Sequence, residues 1–368
     1  MRPTRIIISG GGTGGHIFPA ISIANALRRM EPGCEILFVG AEGRMEMEKV
    51  PAAGYEIVGL NISGIQRGSL LKNLGLPMKL AGSLVKAAQV ISSFRPDVVV
   101  GVGGYASGPL LMAASWKNVP YLIQEQNSYA GVTNKWLGKN AAKICVAFDD
   151  MASFFPAEKL LKTGNPVRKE VVDIYNKRFH GAELLKLDPL KKTVLVTGGS
   201  LGAGTLNKSI EKHIQEFIKQ DVQLIWQTGK YYYQGIMERL GQAFHPNIRI
   251  MEFLNQMDLA YAAADVIISR AGAGTIAELC LIKKPVILVP SPNVAEDHQT
   301  KNALALVTKN AALMIADRSA EDTLVQSALE LLNNEARCEE LSENIGKMAL
   351  RESDDLIAYE VMKLAAKS

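Results

Sequence analysis

The sequence predicts an α/β protein built of two Rossmann-like, parallel-sheet domains that face each other across a cleft. Three observations carry this expectation. Two glycine-rich loops, one in each half, follow short β-branched runs: Ile6-Ile7-Ile8-Ser9 enters Gly10-Gly11-Gly12-Thr13-Gly14-Gly15-His16, and Val194-Leu195-Val196-Thr197 enters Gly198-Gly199-Ser200-Leu201-Gly202-Ala203-Gly204. Short apolar runs alternate with longer amphipathic stretches in both halves, the pattern of strands joined by crossover helices. At 368 residues the chain is long enough for two cores.

A strand, a turn without Cβ atoms and a helix together expose backbone N–H groups and a helix N-terminus to an anion. One such loop is weak, because glycine turns also serve plain strand-to-helix packing; the pair is the stronger signal. In chain order the first half predicts strands at 5–9, 35–39, 55–60, 97–101, 120–124 and 144–147, with helices over 17–30, 107–117 and 131–140. The second half repeats the pattern with strands near 193–197, 222–227, 247–251, 265–268 and 285–289. Several of these runs are apolar throughout, as strands covered on both faces require. Thr163-Gly164-Asn165-Pro166 punctuates the chain between the two series, which sets the domains at 1–163 and 164–345. The tail is helical by periodicity, and a last helix near 352–366, within a segment 346–368, is expected to cross back to the first domain.

Composition narrows the function. Apolar content of 48% with 21% charged residues is that of a soluble globular protein, and a net charge of +4 without a long basic tract argues against nucleic acid. Cys34, Cys145, Cys280 and Cys338 form no C-x-x-C pair; the first three adjoin apolar stretches and read as buried reduced thiols, which fits a reducing cytoplasm. No run approaches the roughly 20 apolar residues of a spanning helix, and the N-terminal strand is too short for a signal peptide.

Ligands of open α/β sheets bind beyond the carboxyl ends of the strands, so the chemistry is sought there. His16 stands at a helix start, where the dipole favours a neutral imidazole able to act as a base; a helix-start residue bonded to a neighbouring loop fits equally well. The loop lacks the Lys-Ser/Thr ending of a phosphate-binding P-loop, and the acidic residue nearest the dinucleotide spacing, Glu35, begins the second strand, which disfavours NAD. Gly101-Val102-Gly103-Gly104-Tyr105 is either a tight turn or a platform from which Tyr105 overhangs the site. Gln124-Glu125-Gln126-Asn127 places four polar side chains at a strand end, and a lined pocket is the favoured reading over a core. In Arg270-Ala271-Gly272-Ala273-Gly274-Thr275-Ile276-Ala277-Glu278, the carboxylate of Glu278 is placed to accept two hydrogen bonds from a ribose diol, or simply to favour the helix dipole. Beyond Pro290, the run Glu296-Asp297-His298-Gln299-Thr300-Lys301-Asn302 offers several side chains suited to a sugar.

Gly-Gly-Thr-Gly-Gly-His, Gly-Gly-Tyr-x-Ser-Gly-Pro, Glu-Gln-Asn, Gly-Asn-Pro-Val-Arg, Gly-Gly-Ser-x-Gly-Ala, Gly-x-x-Thr-x-x-Glu and Gln-x-x-Asn-Ala occur in that order. Together they resemble the MurG family of bacterial N-acetylglucosaminyltransferases, which convert lipid I to lipid II in peptidoglycan synthesis. The resemblance runs from residue 5 to residue 350 or so, and the ordered combination is far more specific than any single motif.

The resemblance implies the GT-B fold, with a membrane-facing N-terminal acceptor domain and a C-terminal domain that holds UDP-N-acetylglucosamine (UDP-GlcNAc). It implies that Glu278 binds the ribose, that Leu254 offers its backbone to uracil, and that Ser200 and its loop hold the phosphates beside Arg168. Ala273, Gly274 and Thr275 belong to the same donor site, and Gln299 reads the sugar hydroxyls. Thr13, Gly14, Gly15 and Asn127 complete the donor site from the first domain, and His16 and Tyr105 line the acceptor side; His16, Tyr105 and Asn127 are the catalytic candidates. Leu201, Ala271, Gly274 and His298 depart from the residues of some relatives, without changing the class.

The implied reaction is in-line attack of the MurNAc 4-hydroxyl on the anomeric carbon, with inversion and loss of UDP. No D-x-D sequence is present to hold a divalent metal, so no obligatory metal or other cofactor is expected. Residues 68–86 mix apolar side chains with Lys72, Lys79 and Lys86, and Trp116-Lys117 and Lys139 extend this into a surface suited to an anionic bilayer; a buried amphipathic helix with a lysine rim is the competing reading. The implied location is therefore peripheral, on the cytoplasmic side of the inner membrane, with lipid I as acceptor and cell-wall synthesis proteins as candidate partners. Two alternatives stand beside it, another GT-B lipid glycosyltransferase and a non-catalytic nucleotide-sugar-binding protein.

Overall fold

The computed structural model describes residues 2–63, 76–199, 201–241 and 245–367. The chain forms two compact units, Met1–Val167 joined by Arg351–Ser368, and Arg168–Leu350.

The first unit is a seven-stranded parallel sheet. Its strands are β1 (Arg5–Gly10), β2 (Glu35–Ala41), β3 (Glu56–Leu60), β4 (Val98–Gly103), β5 (Tyr121–Glu125), β6 (Lys143–Val146) and β7 (Leu160–Lys162), in the order β3-β2-β1-β4-β5-β6-β7. Alternation along the strands feeds two cores. Ile7 lies opposite Leu37 and Val99, and this row packs under the helices Leu76–Phe94 and Ser107–Trp116. Ile6 and Ile8, with Ile36, Phe38, Val98 and Val100, face the helix Gly14–Met30 and the last helix, Ser353–Ala365. All are buried, which is why the runs read as continuously apolar. The last helix packs on Gly14–Met30, and Arg29 ties them through Asp354 (2.9 Å) and Asp355 (2.7 Å).

The second unit is a six-stranded parallel sheet of β8 (Thr193–Thr197), β9 (Gln223–Gln227), β10 (Ile248–Met251), β11 (Val266–Ser269), β12 (Val286–Leu288) and β13 (Leu313–Met314), in the order β10-β9-β8-β11-β12-β13. Val194 and Val196 register with Leu224 and Trp226 on one side and Val266 and Ile268 on the other. That face lies under the helices Gly204–Lys219 and Asp317–Leu332. Strands β7 and β13 had no sequence signal. They are edge strands of three and two residues, too short to display a period.

Candidate active site

Each sheet reverses its strand order once, between β1 and β4 in the first unit and between β8 and β11 in the second. At such a switch point the connections leave on opposite faces and a crevice opens at the carboxyl ends. Both glycine loops sit there, after β1 and after β8.

In the first unit, Gly11 donates its N–H to the Gly103 carbonyl (3.2 Å), joining the ends of β1 and β4. The approach is so close that a Cβ on Gly104, already at φ +93°, would stand 2.4 Å from the Gly11 oxygen. His16 enters from the helix Gly14–Met30, whose N-cap is Thr13. Its ring lies over Gly103, where a Cβ would meet Cδ2 at 2.7 Å and Nε2 at 2.9 Å. Nδ1 is 3.0 Å from the Gly11 carbonyl oxygen. A carbonyl only accepts, so Nδ1 carries the hydrogen and the neutral ring places its lone pair on Nε2. The half-exposed ring of Tyr105 comes within 3.9 Å of where a Cβ on Gly12 would be. The fold thus gathers Thr13, His16 and Tyr105 around Gly12, with Gly14 and Gly15 opening the helix.

Sequence reasoning missed the group beneath this loop. Glu46, 1% exposed, accepts hydrogen bonds from the N–H of Gly12 (2.9 Å) and of Ala41 (3.0 Å). Nothing in its sequence neighbourhood marks it, because it meets the loop only through the β1–β2 pairing.

The run Gln124–Asn127, at the end of β5, corrects the pocket expected there. Gln124, Glu125 and Gln126 are buried and satisfied within the chain. Gln124 donates to Asn165 (2.9 Å), Gln126 donates to the Val102 carbonyl (2.6 Å), and Glu125 accepts from the N–H of Asn127 (3.1 Å), from Gly131 (3.2 Å) and from Asn134 (2.8 Å). Polar side chains at the end of a central strand bind the neighbouring loops as readily as a ligand. Asn127 is the partly exposed member, held from below by Glu125.

In the second unit Ser200 lies outside the described residues. The rest of its loop is locked by a second glycine pair, since a Cβ on Gly229, at φ +83°, would stand 2.1 Å from the Gly202 nitrogen. Buried Gln227, at the end of β9, spans two loops, its amide donating to the Gly199 carbonyl (3.0 Å) and its oxygen accepting from the Leu254 N–H (3.3 Å). The Leu254 N–H is thereby engaged within the chain. Beyond β11, Gly272 caps the helix Ala273–Ile282. The cap, a glycine, brings no side chain to the start of this helix, and a Cβ on Gly274 would meet nothing within 4 Å.

Glu278, further along this helix, accepts a hydrogen bond from the hydroxyl of fully buried Tyr261 (2.9 Å). Burial raises the Glu278 carboxyl above its ordinary value, opposed by the Tyr261 hydrogen bond and the nearby positive charge of Arg168. Burial and Glu278 together push the Tyr261 phenol far up, so it stays a donor. The fold thus brings Arg168, Glu278 and Tyr261 together, the last unmarked in the sequence. Gln299 accepts from the Ser291 N–H (2.8 Å), which leaves its NH2 group as the one it offers. Asn302 of the same run is buried and donates to the Ala271 carbonyl (3.3 Å), supporting the loop after β11.

The first unit also carries an apolar surface. The helix Leu76–Phe94 buries only Ser83, Ala87 and Ile91, and it leaves Met78 (81% exposed), Leu80 and Val85 outward, with Lys79. The adjoining helices Ser107–Trp116 and Val132–Gly138 expose Trp116 (64%), Val132 and Trp136 (55%), near Lys117 and Lys139. The helix is thus amphipathic, packing Ala87 and Ile91 on the core while an apolar and lysine-bearing face is exposed over residues 76–86; residues 68–75, with Lys72, lie outside the described residues. No helix among the described residues is long and apolar enough to cross a membrane.

Family models match both halves of the chain, the glycosyltransferase family 28 N-terminal domain over residues 6–146 and its C-terminal domain over 193–357. A Parabacteroides distasonis protein named UDP-N-acetylglucosamine–N-acetylmuramyl-(pentapeptide) pyrophosphoryl-undecaprenol N-acetylglucosamine transferase is 57% identical over 367 residues, covering 100% of both chains. A protein of the same name from Bacteroides fragilis is 56% identical over 99% of this chain and 96% of its own. Among solved structures, MurG of Acinetobacter baumannii superposes with a TM-score of 0.79 at 26% identity, over 98% of this chain and 100% of that one.

Proposed function

This chain belongs to glycosyltransferase family 28, and we propose that it transfers N-acetylglucosamine from UDP-GlcNAc to the MurNAc 4-hydroxyl of lipid I, forming the β-1,4 linkage of lipid II with inversion. Its two Rossmann-like parallel-sheet domains are those of the GT-B fold. The full-length identity to transferases of that name is the observation that carries the assignment.

The second unit holds the donor. Glu278 takes the ribose hydroxyls on the carboxylate that Tyr261 and Arg168 stabilise, and the Leu254 carbonyl accepts from uracil. The diphosphate lies against the helix start formed by Ala273, Gly274 and Thr275 and against the Ser200 loop, beside Arg168. Gln299 donates its NH2 hydrogens to sugar hydroxyls. From the first unit, Thr13, Gly14, Gly15 and Asn127 complete donor binding, and His16, Tyr105 and Asn127 serve the transfer step. The bond between the anomeric carbon and the phosphate oxygen breaks while the bond to the acceptor oxygen forms; the hydroxyl proton passes to Nε2 of His16, and UDP leaves with the electron pair. Fixed dipoles aimed at the departing diphosphate, with Arg168, stabilise the charge that develops there, so no metal is required for that task.

The apolar and lysine-bearing face of the first unit holds the protein to the cytoplasmic leaflet, where the lipid acceptor resides. Reversing Lys79 and Lys117 to Glu is expected to weaken binding to anionic vesicles by roughly 30-fold or more, at about 1 kcal/mol per lysine removed, with transfer to a soluble acceptor unchanged. Equal vesicle binding by the variant would remove this face from membrane contact.

The deciding experiment is UDP release from UDP-GlcNAc with and without a soluble lipid I analogue, in EDTA. Release that requires the analogue and survives EDTA supports the acceptor and the metal-free reaction together. Donor binding without analogue-dependent release would sink the assignment.

A further inference from the structure

The two hydrogen bonds that meet at the first glycine loop fall on one peptide group. The carbonyl of the Gly11–Gly12 peptide receives Nδ1–H of His16 (3.0 Å), and the N–H of the same peptide is given to Oε2 of Glu46 (2.9 Å). In a trans peptide these groups point in opposite directions, so the carboxylate and the imidazole lie on opposite sides of it. The chain is built around this contact. A Cβ on Gly11 would stand 2.1 Å from Oε1 of Glu46, and a Cβ on Gly40 2.6 Å from its Cγ. The second oxygen, Oε1, is anchored on the N–H of Ala41 at the end of β2 (3.0 Å), which sets the height of the carboxylate beneath the loop.

A carboxylate on a peptide N–H polarises the amide and makes its carbonyl a stronger acceptor, and hydrogen bonds in series reinforce one another. A strong acceptor at Nδ1–H holds the ring in one tautomer and favours proton uptake at Nε2, the service an aspartate performs by direct contact in hydrolytic triads.

We propose that Glu46 is a positioning residue for the transfer step, orienting and activating His16 through the Gly11–Gly12 peptide. This rests on the function assigned above, in which His16 receives the acceptor proton. It predicts that the charge of Glu46 matters as well as its shape. Glu46→Gln keeps the size but loses the charge, and it turns an NH2 group toward one of the two N–H donors.

The test pairs turnover with a spectroscopic reading on the full-length protein. For Glu46→Gln, kcat for transfer to a soluble lipid I analogue is expected to fall about 10- to 100-fold, while KM for UDP-GlcNAc stays within twofold or so, because the residues assigned to the nucleotide belong to the other unit. With nitrogen-15 histidine, the His16 signals, identified with a His16→Gln control among five histidines, are expected to report the Nδ1–H tautomer in the wild type and a mixture in the variant. An unchanged kcat, or a His16 tautomer indifferent to residue 46, would overturn the proposal. Should Glu46→Gln fail to fold, Glu46→Asp gives the same two readings, since it keeps the charge but is one methylene too short to reach both N–H groups. Absence of transfer by the wild type would sink the assigned function instead, and the tautomer measurement would then decide the Glu46 arrangement by itself.

Discussion

The two glycine loops have similar sequences and opposite interiors. After β1, the Gly12 N–H that a bound anion would otherwise use is taken by the chain's own carboxylate, Glu46. After β8, the loop is held by a neutral amide, Gln227, which donates to the Gly199 carbonyl. Both are locked by a glycine pair packed back to back, Gly11 against Gly104 and Gly202 against Gly229. A buried negative charge repels a diphosphate, whereas a neutral amide beneath a helix N-terminus does not. A glycine-rich turn marks where backbone must come close, while the group packed behind it decides which charge it accepts.

Unlocking each loop separately gives the largest expected effects. Gly104→Ala and Gly229→Ala each put a methyl group into backbone at a positive φ, and each is expected to destabilise by about 3 kcal/mol in urea unfolding. Their functional effects should diverge: at temperatures where both remain folded, Gly229→Ala weakens UDP binding, and Gly104→Ala spares it but loses transfer. UDP affinity lost equally in both would contradict the division of labour.

Next in size is Glu278→Ala, expected to weaken UDP-GlcNAc binding roughly 100-fold by removing the acceptor of two hydroxyl hydrogen bonds and leaving Tyr261 unpaired. Gln227→Ala should raise the donor KM about tenfold with a smaller effect on kcat, because it frees the Gly199 and Leu254 backbones without touching the transfer step. Steady-state kinetics would check this, and a fall in kcat alone would place Gln227 elsewhere in the reaction.

The smallest effect concerns stability and pH. Burial raises the folded-state pKa of Glu278, so the folded protein binds this proton more tightly than the unfolded chain does. The contribution of this group is therefore most favourable at acid pH and is lost as pH rises from the ordinary carboxyl value through the raised one. At pH 7 the carboxylate is a net cost, and Glu278→Gln is expected to stabilise the protein by under about 1 kcal/mol while weakening the donor about tenfold. A thermal-unfolding series from pH 4 to 7 would check the sign, since the advantage of the variant should shrink toward acid.

Much of the fold was legible because its signals are local. Ile6-Ile7-Ile8 and Val98-Val99-Val100 are apolar at every position, which only a strand covered on both faces tolerates, and the glycines after them mark the turns. The roles proposed for Glu278 and Gln299 come from the resemblance of their runs, which lie beyond strand ends where a parallel sheet binds ligands. The short edge strands at 160–162 and 313–314 were not, since they exist only by pairing with β6 and β12. The polar run Gln124-Glu125-Gln126 misled for a related reason, because its partners Val102, Asn134 and Asn165 come from other segments.

Periodicity and short-range spacing specify the doubly wound class, the two loops and the side chains offered at the strand ends, and the ordered motifs carry the resemblance to the family. Only the tertiary structure decided what stands behind each loop: Glu46 under Gly12, Gln227 between Gly199 and Leu254, and Tyr261 on Glu278. These contacts join residues 34, 28 and 17 positions apart, the first within the first unit and the last two within the second. Hydrogen bonds of that span are fixed by strand order and helix packing, which bring distant polar groups together only once the cores around them have closed.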